Sequence, residues 1–210
     1  MGENYLAHVE EVKKNFDDYS LVRQSDPICF SKRACIILGN GEAITGRFDL
    51  DEKLDYEAEL AVVIEKNGKD IRREDAEDYI FGYSVFNDVS SRKMQKRHTQ
   101  WFMGKSLDTY SAMGPVIVTR DEFTFPPELE VICRVNGEER QRSNTRLMLT
   151  DIPSMIQDLS AGMTLVPGDI IASGTPSGVA VGMTPSVFLK KGDVVECEIP
   201  EIGILSNSVQ

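Results

Sequence analysis

The chain has 210 residues, of which 41 % are hydrophobic and 27 % charged, enough for one substantial core. Its net charge of −11 at pH 7, with no basic stripe, excludes a nucleic-acid partner from the expectations. No apolar run approaches membrane-spanning length and the N-terminus lacks a signal-peptide core, so a cytoplasmic protein without a membrane partner is expected.

In chain order, residues 4–16 read as a helix. His8 and Glu11 stand at i and i+3, neighbours on one helix face. A carboxylate beside an imidazole orients it and raises its basicity, which suits a general base, although a single His on a charged terminal helix is more often merely solvated. Asp26 to Lys32 reads as a turn and short strand, and residues 39–53 as surface loop.

Leu54 to Ile64 is the unusual stretch. Its second half is β-branched and apolar like a buried strand, yet Asp55, Glu57 and Glu59 lead into it. On an extended backbone Glu57 and Glu59 share a face, about 7 Å apart at Cα. Two carboxylates that close repel unless a proton or cation lies between them, and a hard divalent cation with oxygen ligands answers that need. An acidic, solvated strand end is the plainer alternative.

Glu74 to Ile80 reads as a helix, with Gly82 as its stop. Tyr83 to Asp88 is a second strand running from apolar residues into an acid. With Asp88 the acids number three, the minimum set for holding Mg²⁺, Mn²⁺ or Ca²⁺ with positions left open. Ser90 to Arg97 reads as a polar helix on which Arg92 and Gln95 share a direction, and Trp101 to Ser106 as an aromatic loop bearing Lys105. For any one of these basic residues, solvated surface is the plainer reading.

Leu129 to Val135 alternates into Asn136-Gly137, a strong hairpin signal, with Glu138 to Gln141 returning. A helix capped at Thr150 or Asp151 runs to Gly162 on an apolar stripe of Ile152, Met155, Ile156 and Leu159. Ile170 to Ser173 is an apolar strand feeding the Gly174-Thr175-Pro176-Ser177-Gly178 loop, whose N–H groups and hydroxyl can approach an anion. Val194 to Ile199 and Gly203 to Leu205 close the chain. Cys133 and Cys197 lie in apolar strand-like runs and, with Cys29 and Cys35, lack CxxC spacing, so buried thiols are expected there rather than disulfides or a zinc site. About ten strand-like runs, few short helices and no dividing linker imply a single strand-rich α+β domain over residues 1–210, with a rolled or barrel-like sheet.

Several motifs occur in one order: Gly2-Glu3-Asn4-Tyr5 with His8, Phe30-Ser31-Lys32, Asp55-Tyr56-Glu57-Ala58-Glu59-Leu60, Asn87-Asp88-Val89-Ser90-Ser91-Arg92 and Gly104-Lys105-Ser106-Leu107-Asp108. They continue with Val135-Asn136-Gly137-Glu138, Pro167-Gly168-Asp169, Ser173-Gly174-Thr175-Pro176-Ser177-Gly178 and Lys191-Gly192-Asp193. Together they resemble the fumarylacetoacetate hydrolase family, including its 2-hydroxyhepta-2,4-diene-1,7-dioate isomerase-like members, from Asn4 to the C-terminus.

The resemblance implies a mixed β-sandwich roll, a homodimer, and Mg²⁺ or Mn²⁺ held by Glu57, Glu59 and Asp88, with Ca²⁺ able to take the same place. It implies small anionic 2-oxo or 1,3-diketo acid substrates. Lys105 falls on the oxyanion-stabilising lysine, Arg92 and Gln95 on substrate-contacting positions, and Thr175 on the loop hydroxyl that meets the substrate carboxylate. His8 and Glu11 match the dyad that activates water, carried on a lid segment over residues 1–20. Asp55 has no role in the resemblance and reads as a bystander. Two features depart from the pattern: family members usually carry a segment ahead of the Gly-x-Asn-Tyr motif, and Arg146-Leu147-Met148 replaces the common Asp-Met.

The activity expected first is metal-dependent hydrolytic C–C cleavage of an acylpyruvate. The alternatives are decarboxylation or isomerisation of oxaloacetate or an unsaturated 2-oxo diacid on the same residues, and a weakly active metal-binding homologue. The metal set is common to these reactions, and the segment bearing His8 and Glu11 is expected to decide among them.

Overall fold

The computed structural model describes residues 1–15 and 26–210; the predicted helix end at Phe16 and the last part of the expected lid segment lie outside the described residues. The first helix, α1 (Leu6–Asn15), is followed by the short strands β1 (Ile37–Leu38), β2 (Ala43–Ile44) and β3 (Leu54–Asp55). Next come β4 (Ala58–Ile64), β5 (Ile80–Asp88), β6 (Ser90–Ser91), α2 (Arg92–Arg97) and α3 (Phe102–Lys105). After β7 (Ser111–Thr119) the hairpin β8 (Glu130–Val135) and β9 (Glu138–Asn144) leads to α4 (Ile152–Gly162), β10 (Ile170–Ala172), β11 (Val194–Ile199) and β12 (Gly203–Val209).

Two five-stranded sheets carry the fold, in the orders β1-β7-β5-β4-β10 and β2-β12-β11-β8-β9, with β3 and β6 forming a separate pair. Only β1 with β7 and β2 with β12 run parallel among the paired strands. This is the expected strand-rich α+β architecture with a few short helices. Among the described residues no helix is long and apolar enough to cross a membrane.

Every residue of β4 is buried, but its two faces differ. Ala58, Leu60, Val62 and Ile64 enter the hydrophobic core together with Val131 and Cys133 of β8 and Val195 and Cys197 of β11. Each such buried Leu, Val or Ile stabilises the fold by about 1.5–3 kcal/mol. The alternation of a strand then turns Glu59 to the opposite face, with Glu57 two residues before it. Strand β5 lies antiparallel beside β4, pairing Glu59 with Phe86 and Ala58 with Asn87, so Asp88 arrives next to Glu57 and donates its backbone N–H to the Glu57 carbonyl at 2.9 Å.

Several expectations hold in detail. The Asn136-Gly137 turn has positive φ at both residues, 53° and 78°, the twist a tight hairpin requires. Asp151 caps α4, its side chain accepting from Ser154 N at 3.0 Å. Cys133 and Cys197 face one another across β8 and β11 as buried free thiols.

Others do not. The segment around Glu74 is a 3-10 helix, Arg73–Tyr79, and Gly82 lies inside β5 rather than ending a helix. A Cβ at Gly82 would stand 2.3 Å from the Val118 carbonyl oxygen, so the glycine serves close strand contact with β7. That nine-residue strand itself was not anticipated: a Gly-Pro pair interrupts its pattern. Residues 101–106 contain the short helix α3 rather than loop, and in the 26–32 segment only Ile28 pairs, in a single bridge to Gly2.

Candidate active site

The three acids converge. Glu57, Glu59 and Asp88 are buried, and one carboxylate oxygen of each lies within 4.8 Å of the others. Three cations surround them. Lys105 Nζ lies 2.5 Å from Glu57 Oε2 and 2.8 Å from Asp88 Oδ2, and Arg92 Nη2 lies 2.7 Å from Glu57 Oε1. Lys32 Nζ lies 2.7 Å from the other Asp88 oxygen, Oδ1.

The charges are unevenly shared. Burial is the largest single influence on Glu57 and Asp88 and opposes their ionisation, but the surrounding cations together outweigh it, Lys105 with Arg92 at Glu57 and Lys105 with Lys32 at Asp88. Both carboxyls are held below the usual range. Glu59 has no ion pair among the described residues and accepts a hydrogen bond from Gly174 N at 2.8 Å. Burial, and then repulsion by Asp88, pushes its carboxyl up to about 8.

A carboxylate short of positive charge, within a cluster offering oxygen donors and neither nitrogen nor sulfur, fits a hard divalent cation such as Mg²⁺ or Mn²⁺. Glu57, Glu59 and Asp88 would hold it. The set favours no one such cation over the others by donor type alone.

A cavity of about 390 Å³ opens over this cluster. Glu57, Lys105, Arg92, Gln95, Thr175 and His8 all line it, so the residues singled out for substrate contact and the imidazole of the dyad face one space. Glu59 and Asp88 sit behind, off the cavity wall.

Local sequence explains each placement. Arg92 opens α2 directly after β6, and its Nη1 donates to Gln95 Oε1 at 3.0 Å, one turn on. Lys105 ends α3, which crosses α2 so closely that a Cβ on Gly104 would lie 2.6 Å from Gln95 N. The 173–178 loop is stitched to the acidic strand: Ser173 N donates to Leu60 O at 3.0 Å, and Thr175 Oγ1 to Ala58 O at 3.0 Å. Gln141 Nε2 donates to that same Thr175 hydroxyl at 2.8 Å, so the hydroxyl is already engaged from both sides.

The dyad forms as the spacing predicts. His8 Nδ1 lies 2.9 Å from Glu11 Oε1, and both Glu11 oxygens also accept from Gly178 N, at 3.0 and 2.9 Å. A carboxylate can only accept, which assigns the proton to Nδ1 and leaves Nε2 as the free acceptor. The glycine loop therefore holds the dyad as well as Glu59.

Asp55 is no bystander. It is fully buried, accepts from Arg92 Nε at 2.8 Å, and takes the N–H groups of Tyr56, Ala180 and Val181 at 2.9, 2.8 and 3.0 Å. It positions the arginine that lines the cavity. Sequence reasoning also left Lys32 and Gln141 without roles. Lys32 stood inside a quoted motif, and Gln141 in a run of exposed-strand composition; neither offers a local signal, because their partners are distant in the chain.

Comparison with known proteins places these observations in a family. The sequence matches the fumarylacetoacetate (FAA) hydrolase C-terminal family over residues 1–210. It is 46 % identical over 209 residues to oxaloacetate tautomerase YisK of Bacillus subtilis, covering 100 % of this chain and 68 % of that protein. Among solved structures, a fumarylacetoacetate hydrolase from psychrophilic Exiguobacterium antarcticum superposes with a TM-score of 0.89 at 44 % identity, over 100 % of this chain and 73 % of the other. The 5-carboxymethyl-2-hydroxymuconate delta-isomerase of Mycobacterium smegmatis gives 0.83 at 38 %, over 99 % and 76 %. The chain spans about two thirds of the length of several curated relatives, including oxaloacetate tautomerases of frog and cattle at 64 % and 65 %.

Proposed function

This chain belongs to the fumarylacetoacetate hydrolase family, and we propose that it catalyses keto–enol tautomerisation of a small 2-oxo diacid, oxaloacetate foremost, with a divalent metal. The observation that carries the reading is the shared cavity: Glu57 of the acid cluster, cationic Lys105 and Arg92, and His8, backed by Glu11, line one space. The names of its relatives, oxaloacetate tautomerases at 46 % and 44 % identity, support the choice of reaction.

Tautomerisation moves one proton from carbon to oxygen and back, and forms negative charge at the oxygen between. Bound Mg²⁺ or Mn²⁺ supplies Lewis-acid charge that favours the enol form. The chain's own groups do the rest. Arg92, held by Asp55, presents a fixed guanidinium to a carboxylate. The Lys105 ammonium faces developing oxyanion charge in a buried setting where it counts for more than in water. His8 Nε2, with Nδ1 anchored by Glu11, accepts the proton from carbon and delivers it to the enolate oxygen, and the reverse reaction runs through the same two transfers.

A second reading is C–C hydrolysis of an acylpyruvate, favoured by the dyad itself: an imidazole backed by a carboxylate at 2.9 Å is equally suited to activate water. A small anionic substrate, a homodimeric assembly and a cytoplasmic location complete the proposal. The deciding experiment follows oxaloacetate tautomerisation by ultraviolet absorbance, alongside pyruvate and CO₂ release from oxaloacetate and a panel of acylpyruvates, each with Mg²⁺, Mn²⁺ or EDTA. Metal-dependent acceleration of tautomerisation without CO₂ supports the first reading. Pyruvate with an acid co-product supports the second. Rates unchanged by thorough metal stripping refute the metal requirement.

A further inference from the structure

The residue that the fold places most tellingly, and that no role yet covers, is Lys32. Its side chain is 11 % exposed, and Nζ reaches Asp88 Oδ1 at 2.7 Å, the Val89 carbonyl at 3.4 Å and, in a short contact, the Lys105 carbonyl. It therefore touches one of the three acids and the backbone of the lysine that bridges two of them. Asp88 is gripped from both sides, by Lys32 at Oδ1 and by Lys105 at Oδ2.

Lys32 also belongs to a segment that forms no ladder among the described residues. Its other ties there include the Gly2–Ile28 bridge, Cys29 Sγ to Met1 Sδ at 3.5 Å, and Arg33 N donating to Ser106 Oγ at 3.0 Å. Two residues before Lys32 stands Phe30, which lines the cavity. Its ring lies 5.4 Å from Lys105 Nζ and packs edge-on against Trp101 at 5.2 Å between centroids, 68° between planes. Trp101 lines the same cavity.

We propose that Lys32 is a positioning residue: its buried ammonium ties the 28–33 segment to Asp88 and the Lys105 carbonyl, and so sets the Phe30–Trp101 wall of the cavity against the acid cluster. A surface ion pair would be worth too little to do this, but a buried charge with one carboxylate and two carbonyls loses several contacts at once if the segment moves. Catalysis would then depend on Lys32 through substrate placement rather than through contact with the reacting atoms. This deepens the proposed function and rests on it for the turnover readout, but not for the optical one.

The chain has one tryptophan, so the emission of Trp101 reports the wall directly. The test compares Lys32→Met, Lys32→Arg and the unaltered chain by Trp101 emission, acrylamide quenching, Mn²⁺ titration and oxaloacetate kinetics, with circular dichroism confirming folding. In Lys32→Met the emission shifts red, quenching increases about twofold, and KM rises about tenfold while kcat changes less. Lys32→Arg, which keeps the charge, restores the emission and most of the KM. If Lys32→Met does not fold, Lys32→Gln carries the same expectation, since it keeps polar reach to the carbonyls without charge. Unchanged emission and quenching in a folded, neutral Lys32 variant overturns the inference. So does a KM defect fully cured by excess Mn²⁺ with normal emission, which would make Lys32 a support of metal binding alone. An unaltered chain that turns over no 2-oxo acid while the emission shift persists defeats the function, not the positioning role.

Discussion

Asp55 and Arg92 form a buried pair, Oδ2 to Nε at 2.8 Å, between residues 37 apart in the chain. The pair links the start of the acidic strand to the helix that carries the cavity-facing guanidinium. Asp55 also closes the 180–181 backbone through two N–H groups, so its carboxylate supports two walls at once. Removing one partner of such a pair strands a buried charge.

The first prediction follows from that pair. Asp55→Asn keeps an acceptor for the backbone but removes the charge opposite Arg92, which retains Glu57. The expected cost is about 2–4 kcal/mol of stability, because half of the support for a buried cation is lost. Denaturant unfolding measures it. KM for a 2-oxo acid should rise as well, since Arg92 is no longer fixed from below. A variant as stable as the parent would show that Glu57 alone satisfies Arg92.

Glu59 and His8 should separate metal binding from chemistry. Burial pushes the Glu59 carboxyl to about 8, so at pH 7 without metal it is largely protonated and Glu59→Gln is nearly isosteric and neutral. In EDTA its stability should stay within about 1 kcal/mol of the parent, while Mn²⁺ affinity, read by calorimetry, falls by about 100-fold or more. His8→Ala should do the reverse: Mn²⁺ affinity is unchanged, and turnover drops about 10²–10⁴-fold with loss of the proton acceptor. Normal turnover in His8→Ala would remove the dyad from the mechanism.

The contrast between these residues also explains what the sequence could disclose. Glu57, Glu59 and Asp88 were legible because acids in apolar, β-branched runs violate strand composition, and such violations mark function. His8 and Glu11 were legible because helical spacing is local. Asp55 and Lys32 were not: Asp55 meets Val181 across 126 residues, and Lys32, itself in no strand, meets a carboxylate on β5. Nothing in their own neighbourhoods distinguishes a buried clamp from a solvated charge. The strands of the hairpin announced themselves through Asn136-Gly137, whereas β7 carries a Gly-Pro pair and is held by its neighbour β5, a tertiary cause that no local pattern expresses.

Gly104 offers a test of how tightly Lys105 is placed. A Cβ there would meet Gln95 N at 2.6 Å and Gln95 Cα at 2.7 Å, backbone atoms that cannot swing aside. Gly104→Ala should therefore push α3 away from α2, costing about 1–3 kcal/mol as overpacking does. Because Lys105 is the next residue, the loss of turnover under conditions where the variant is fully folded should exceed the loss from any change in Arg92 contacts. Folded-state kinetics after a thermal-melt check decide it; unaltered kcat would mean that Lys105 reaches its acids regardless of helix spacing.

The cap of α4 gives a pH-dependent prediction away from the site. Hydrogen bonding to Arg73, with help from the Ser154 contacts, lowers the Asp151 carboxyl to about 2 from an ordinary value of 3.8. A carboxyl whose folded value is depressed stabilises the protein above its unfolded value, and that contribution disappears as pH falls through the folded value. The window is thus between about pH 4 and pH 2. Asp151 is 37 % exposed on its side chain, so solvent screening discounts the Arg73 pair, and the capping bond to Ser154 N is the firmer part. Asp151→Ala should cost about 1 kcal/mol at pH 6. Asp151→Asn, itself a good cap, should cost less. Both differences from the parent should shrink as the pH is lowered from 4 to 2, followed by urea unfolding at each pH. A gap that stays constant across that range would mean the carboxylate charge contributes nothing and the cap acts through shape alone.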